Sequence, residues 1–301
     1  MNTGFDAMLT ETQNAKTSHL DQMDTLSILR LMNEEDQKVA LAVQQVLPQI
    51  AEAVDIIRHR LAKGGRLFYI GAGTSGRVGV LDAVECVPTF GTSPQLVQGI
   101  IAGGDGAFLQ AVEGAEDDFD GGAEDLMARA LNEDDVVVGI AASGRTPYVL
   151  GAMDYACKLG AATISVACND PAPLLEGVDV AIGVVVGAEI LTGSTRLKAG
   201  TAQKLVLNMI STATFAQLGK VYGNLMVDVQ VTNQKLAQRA QGIIQKIINV
   251  DDATAVRLLT NAHNNVKAAI VMHECQVDYT SALQLLTDAQ DNLRTIIDRK
   301  E

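Results

Sequence analysis

Residues 66–77 read RLFYIGAGTSGR: an apolar run that stops at glycine and gives way to a small, hydroxyl-bearing loop. A strand with no polar face to turn to water belongs inside a parallel sheet covered on both sides. Four more runs of this kind follow, at 96–102, 135–141, 162–167 and 179–186. The intervening stretches 77–85, 108–130 and 147–159 are long enough for helices, and 173–177 for a turn or two. Strand and helix in alternation predict an α/β fold, a doubly wound, mainly parallel five-stranded sheet whose ligands bind beyond the carboxyl ends of the strands.

Working outward, the first 20 residues read as an extended arm, followed by a short helix over 24–33. Val39, Val43, Val46, Ile50, Val54, Ile57 and Leu61 then recur at spacings of three and four, which predicts one helix over 34–63, kinked at Pro48 and ended by Gly64-Gly65. Downstream, 195–218 reads as a long helix, and a second runs from just after Val221-Tyr222-Gly223 to Ile248. Shorter helices are expected over 252–261, 265–274 and 280–286, with a terminal one to 299; Asp251 or Asp252 and Thr280 suit N-caps. The expected organisation is an N-terminal arm and helices (1–56), a sheet domain (57–220) and a small C-terminal helical region (221–301).

The 301 residues carry 36 acidic and 23 basic side chains, a formal charge of −13, with 48% hydrophobic residues, 27 Gly and no Trp. That charge argues against nucleic acid or an anionic membrane surface, both of which reward clustered Lys and Arg. An anionic ligand must instead be held by local N–H groups against the global field. Cys86, Cys157, Cys168 and Cys275 form no CxxC pair and stand at no metal spacing from a His, so buried reduced thiols and no metal are expected. The four His residues show neither ligand nor triad spacing. No signal-like start precedes the arm, and the longest apolar run, 180–188, is about half a membrane span. A soluble cytoplasmic protein is the expectation.

Two loops carry the chemistry. Gly71-Ala72-Gly73-Thr74-Ser75-Gly76 meets the GxGxxG pattern, but the acidic residue a dinucleotide fingerprint needs at the end of the second strand is missing; Asp105 comes too late. A nicotinamide-dependent dehydrogenase is thereby disfavoured, and the hydroxyls fit a phosphomonoester better. Ser143-Gly144-Arg145-Thr146, before Pro147, repeats the arrangement after the third strand, with N-capping as its compatible structural role. Arg196 and Lys198, where the long helix opens, suit either the counter-charge of an anion or a structural role beside the capping Ser and Thr of that segment.

The loop pair resembles the sugar isomerase domain that binds phosphosugars. Longer strings, IGAGTSGRVGVLDAVECVPTF from Ile70, IAGGDGAFLQAVEGAEDD from Ile101 and LTGSTRLKAGTAQKLVLNMIST from Leu191, resemble the N-acetylmuramic acid 6-phosphate etherase family, from LTETQN at Leu9 to the helical tail. The resemblance implies a homodimeric lyase of bacterial cell-wall recycling, without metal or organic cofactor. It would convert N-acetylmuramic acid 6-phosphate to N-acetylglucosamine 6-phosphate and D-lactate.

It also implies the catalytic pair, Glu85 and Glu116. Glu85, expected near a helix carboxyl end among apolar neighbours, suits a general acid; Glu116, in an acidic cluster, suits the base. The sequence is compatible with the reverse assignment. The phosphate would lie on Gly73, Thr74, Ser75, Gly76, Ser143, Gly144, Arg145 and Thr146. The alternative is a phosphosugar-binding regulatory protein on the same scaffold, similar to the vertebrate regulator of glucokinase; it needs the loops but not both glutamates.

Overall fold

A computed structural model of the protein describes residues 8–298. Within them the chain forms two compact units, one from the segment up to Val84 together with Gln95–Ser211, the other from Glu85–Pro94 together with the segment from Thr212 onward.

The first unit holds the sheet. Strands β1 (Leu67–Gly71), β2 (Val97–Ile101), β3 (Val136–Ala141), β4 (Ala162–Ala167) and β5 (Val180–Gly183) are all parallel, in the order β2-β1-β3-β4-β5. β1, β3 and β4 are buried along their whole length, as their unbroken apolar runs require. From β1 the chain moves to β2 on one side and then to β3 on the other, so the order reverses at the β1/β3 boundary. A crevice opens at such a point beyond the carboxyl ends of the strands. Gly71 pairs with Ile101 of β2 and with Ile140 of β3, which brings all three strand ends level there.

Helix α3 (Gly73–Phe90) starts two residues after β1, and glycine makes that possible. A Cβ on Gly71 would stand 2.7 Å from the Gly76 nitrogen, and one on Gly76 would stand 2.6 Å from the Gly71 oxygen and 2.7 Å from Ile101 Cγ1. Helices α4 (Phe119–Ala128) and α5 (Pro147–Leu159) pack on each other so closely that a Cβ on Gly122 would meet the Tyr148 oxygen at 2.0 Å.

Several elements depart from the sequence reading. Helix α1 (Thr25–Gln45) runs through the expected junction at 33/34, and α2 (Leu47–Ala62) is a separate helix bent 59° from it. Pro48 lacks the N–H needed to continue the ladder, so it ends one helix and begins the next. The expected helix over 108–130 is a 3-10 turn (Asp105–Phe108), an irregular loop, a second turn (Ala115–Asp117) and α4. Gly114, at φ 76, interrupts the helical path, and Asp118 caps α4 by accepting the Gly121 N–H at 2.9 Å. Residues 1–7 of the expected arm lie outside the described residues. The remainder is not extended but turns twice, through 3-10 turns at Ala15–Thr17 and Leu20–Gln22. It is anchored at Thr10, whose N–H donates to Asn169 Oδ1 (3.3 Å) and whose carbonyl accepts the Gly193 N–H (3.1 Å).

The second unit contains five helices, α7 (Gln234–Ile248), α8 (Asp252–Asn261), α9 (Val266–Cys275), α10 (Tyr279–Asp288) and α11 (Leu293–Ile297), around Ile244, Leu259, Ile270 and Leu286. α7 begins later than expected, because Tyr222 and Leu225 exchange backbone hydrogen bonds in a turn and Asn233 caps the helix. Asp251 caps α8 as read, whereas α10 is capped by Asp278 rather than Thr280. The buried Lys267 ammonium is held by Asp228 at 2.5 Å and Asp291 at 2.8 Å. Among the described residues no single helix is long and apolar enough to cross a membrane.

Candidate active site

The glycine loop after β1 is the first turn of α3, and its side chains face different ways. Gly73, exposed and at φ 53, has nothing within 4 Å of where a Cβ would lie, so its backbone borders open space. Thr74 Cγ2 lies 3.1 Å from where a Cβ on Gly200 would sit, against helix α6 (Lys198–Gln217). Ser75 is buried, and its hydroxyl donates to Gln203 Oε1 of α6 at 3.0 Å. The Gly71 and Gly76 contacts described above serve the strand-to-helix packing. Gly73 is the glycine of this loop that leaves main chain open to a ligand.

The loop after β3 remains more accessible. Ser143 is half-buried, its Oγ accepting the Arg145 N–H at 3.2 Å; Arg145 is exposed. Thr146 is the N-cap residue of α5 yet makes no side-chain capping bond, which leaves its half-buried hydroxyl uncommitted at a helix start. Gly144, at φ 68, would press a Cβ to 2.5 Å from Ala172 Cβ, so the left-handed turn and the packing both require glycine. The two loops leave adjacent strands at the β1/β3 reversal.

On the β2 side of β1 a cleft of about 220 Å³ is lined by Gly73, Arg77, Ala102, Val112, Glu113 and Glu116, among others. Glu116 sits exposed in the turn Ala115–Asp117. Arg77, half-buried in the first turns of α3, donates from Nη2 to the Ala107 carbonyl (2.8 Å) and from Nε to the Phe108 carbonyl (3.0 Å). It thereby fastens α3 to the segment after β2 that leads to Glu116.

Glu85 belongs to the second unit and is exposed on α3. The helix continues to Phe90, so Glu85 stands more than a turn from its carboxyl end.

At the opening of α6 the two basic candidates separate. Arg196 is exposed. Lys198 is buried, and its ammonium donates to Glu35 Oε2 of α1 at 2.9 Å. Burial opposes ionisation of Glu35, yet bonds from Lys198 and Lys38 prevail and hold its carboxyl down at about 2. The N-terminus of α6 is capped by the buried Glu189, which accepts the N–H groups of Lys198 (3.0 Å) and Ala199 (2.9 Å).

Several of these partners carried no signal in the sequence. Glu189 and Glu35 lie outside the quoted strings, and Gln203, though inside one, had no role read for it; Glu35 and Gln203 find their partners far along the chain, whereas Arg77 stood in the glycine string without its charge being used. Asp82, buried on α3, accepts Asn208 Nδ2 (2.6 Å) and the Ser211 hydroxyl (3.1 Å). Burial pushes its carboxyl up, against the pull of those bonds. Cys86 and Cys168 are buried as expected, with burial driving the Cys168 thiol up to about 12, but Cys157 is exposed. No cluster of three His, Cys, Asp or Glu suited to a metal occurs among the described residues.

Comparison with known proteins adds three family descriptions and a set of whole-chain relatives. Residues 49–157 match the glucokinase regulatory protein N-terminal SIS domain, 115–213 the SIS domain, and 223–277 the C-terminal lid domain of glucokinase regulatory protein. A phosphoheptose isomerase from Francisella tularensis shares the fold, at TM-score 0.50 and 20% identity over 64% of this chain and all of that one. N-acetylmuramic acid 6-phosphate etherase 2 of Lactiplantibacillus plantarum is 58% identical over 89% of this chain and 90% of its own. The N-acetylmuramic acid 6-phosphate etherase of Aeromonas hydrophila is 55% identical over 90% and 91%. Identity at that level along both units, not only across the sheet, shows that the chain belongs to the N-acetylmuramic acid 6-phosphate etherase family.

Proposed function

We propose that the protein cleaves the lactyl ether of N-acetylmuramic acid 6-phosphate to N-acetylglucosamine 6-phosphate and D-lactate, acting as a cytoplasmic homodimer. The observation that carries the reading is the cleft beyond β1 and β2, which joins Gly73 of the switch-point loop to Glu116, in a chain more than half identical to proteins named for this activity.

An ether oxygen leaves poorly by itself, but in the open-chain sugar it lies β to the C1 aldehyde, which makes the C2 proton acidic. Glu116 takes that proton, the C2–C3 double bond forms, and the C3–O bond breaks as Glu85 protonates the departing lactate oxygen. Water then adds at C3, its proton passing to the Glu85 carboxylate while C2 is reprotonated. The phosphate rests on the Gly73 main chain and the hydroxyls of Ser143 and Thr146, with exposed Arg145 and Arg196 as counter-charges.

Glu85→Gln and Glu116→Gln are each expected to abolish D-lactate release with little change in thermal stability; full activity in either variant rejects the pair. Solvent deuterium separates the roles, because Glu85→Gln should still exchange the C2 proton and Glu116→Gln should not.

A further inference from the structure

We infer that Arg77 is a specificity residue that receives the carboxylate of the departing lactyl group, an inference that rests on the reaction proposed above. Arg77 supplies the positive charge of a cleft whose other named charged groups, Glu113 and Glu116, are acidic. None of the ion pairs among the described residues includes it; its hydrogen-bond partners are the neutral carbonyls of Ala107 and Phe108. Those two bonds fix the guanidinium plane and occupy Nε and one Nη2 hydrogen, leaving the Nη1 edge without an ion-pair partner. A fixed planar fork of this kind matches a carboxylate better than an ammonium would, and its ordering cost is met before the ligand arrives.

Position separates the lactyl carboxylate from the phosphate. In the order β2-β1-β3, the Ser143–Thr146 loop leaves β3, whereas Arg77 stands on α3 and is bonded to the segment that leaves β2 on the other side of β1. The sugar's C6 phosphate and its C3 substituent lie at opposite ends of the molecule. With the phosphate on the loops at the reversal and Glu116 at C2, the C3 group falls beside Arg77. Without that cation, the lactyl carboxylate would meet only like charge in the cleft.

The test is equilibrium binding of two phosphosugars that differ in the lactyl group, N-acetylmuramic acid 6-phosphate and N-acetylglucosamine 6-phosphate. Glu116→Gln protein, in which turnover is stopped, is compared with and without Arg77→Gln. The expected result is a loss of about 10- to 100-fold for the lactyl sugar and little loss for the other, with Arg77→Lys recovering part of the difference. Equal losses for both sugars would show that Arg77 only holds its loop and overturn the inference, as would no loss for either. Failure of the wild-type protein to release lactate rejects the reaction instead, and the ratio of the two affinities still reads the role of Arg77.

Discussion

After β1, the Ser75 hydroxyl donates inward to Gln203 and the helix starts with Gly71 and Gly76 in mutual contact. After β3, the Ser143 hydroxyl accepts one neighbouring N–H and Thr146 caps nothing. Two loops of nearly the same composition at adjacent strand ends thus divide the work. The β1 side is sewn to α6, and α6 in turn is fixed to α1 through Lys198 and Glu35. The β3 side keeps its hydroxyls available. A hydroxyl in a glycine loop reveals its use only when its partner is known.

Three experiments probe that division. The largest effect is expected at the buried pair. Lys198→Met should cost about 3 kcal/mol of stability, because it removes one partner from a buried carboxylate. The effect should also depend on pH. Glu35 has its carboxyl lowered from the usual 4.5 to about 2, so its contribution is complete above 4.5 and lost as pH falls toward 2. Denaturant melts of wild type and variant should therefore converge on acidification; a gap constant with pH would detach Lys198 from the sewn side.

Next, Gly76→Ala should lower stability by about 2 kcal/mol, read from the thermal midpoint, since its Cβ would meet backbone and Ile101. Gly73→Ala meets open space and should lose only the strain of its positive φ, about 1 kcal/mol. Equal losses at the two glycines would remove the packing distinction.

The smallest and most discriminating contrast lies among the hydroxyls. Ser143→Ala and Thr146→Val should each weaken phosphosugar binding about tenfold with unchanged melting. Ser75→Ala should do the reverse, losing about 1 kcal/mol of stability by stranding Gln203 while affinity stays within about twofold. Loss of affinity in Ser75→Ala without loss of stability would invert the comparison.

What could be read from the sequence follows the same line. The five strands fall within a few residues of the apolar runs, because continuous Val, Ile and Ala leave a chain little choice but a covered parallel sheet. The loops at the reversal were legible for the same reason, being where those runs stop. Partners distant in the chain were not legible: Ser75 and Gln203 are 128 positions apart, and Lys198 and Glu35 are 163 apart. Their pairing depends on how α6 lies against the rest of its unit, which no local pattern encodes. Residues 108–130 misled differently, since the stretch was read as a helix on its length alone, while Gly114 and Asp118 offer the backbone a left-handed turn and a cap.

The anchoring of Thr10 has a consequence for the order in which the protein assembles. Its partners, Asn169 and Gly193, leave the ribosome some 160 to 180 residues later, so the segment around Thr10 stays undocked while β1 to β4 are synthesised. Closing so long a loop is slow to begin with and has little to stabilise it until the β4 end is in place. The segment around Thr10 is therefore among the last to settle, and its cleavage by a protease during refolding would time that docking.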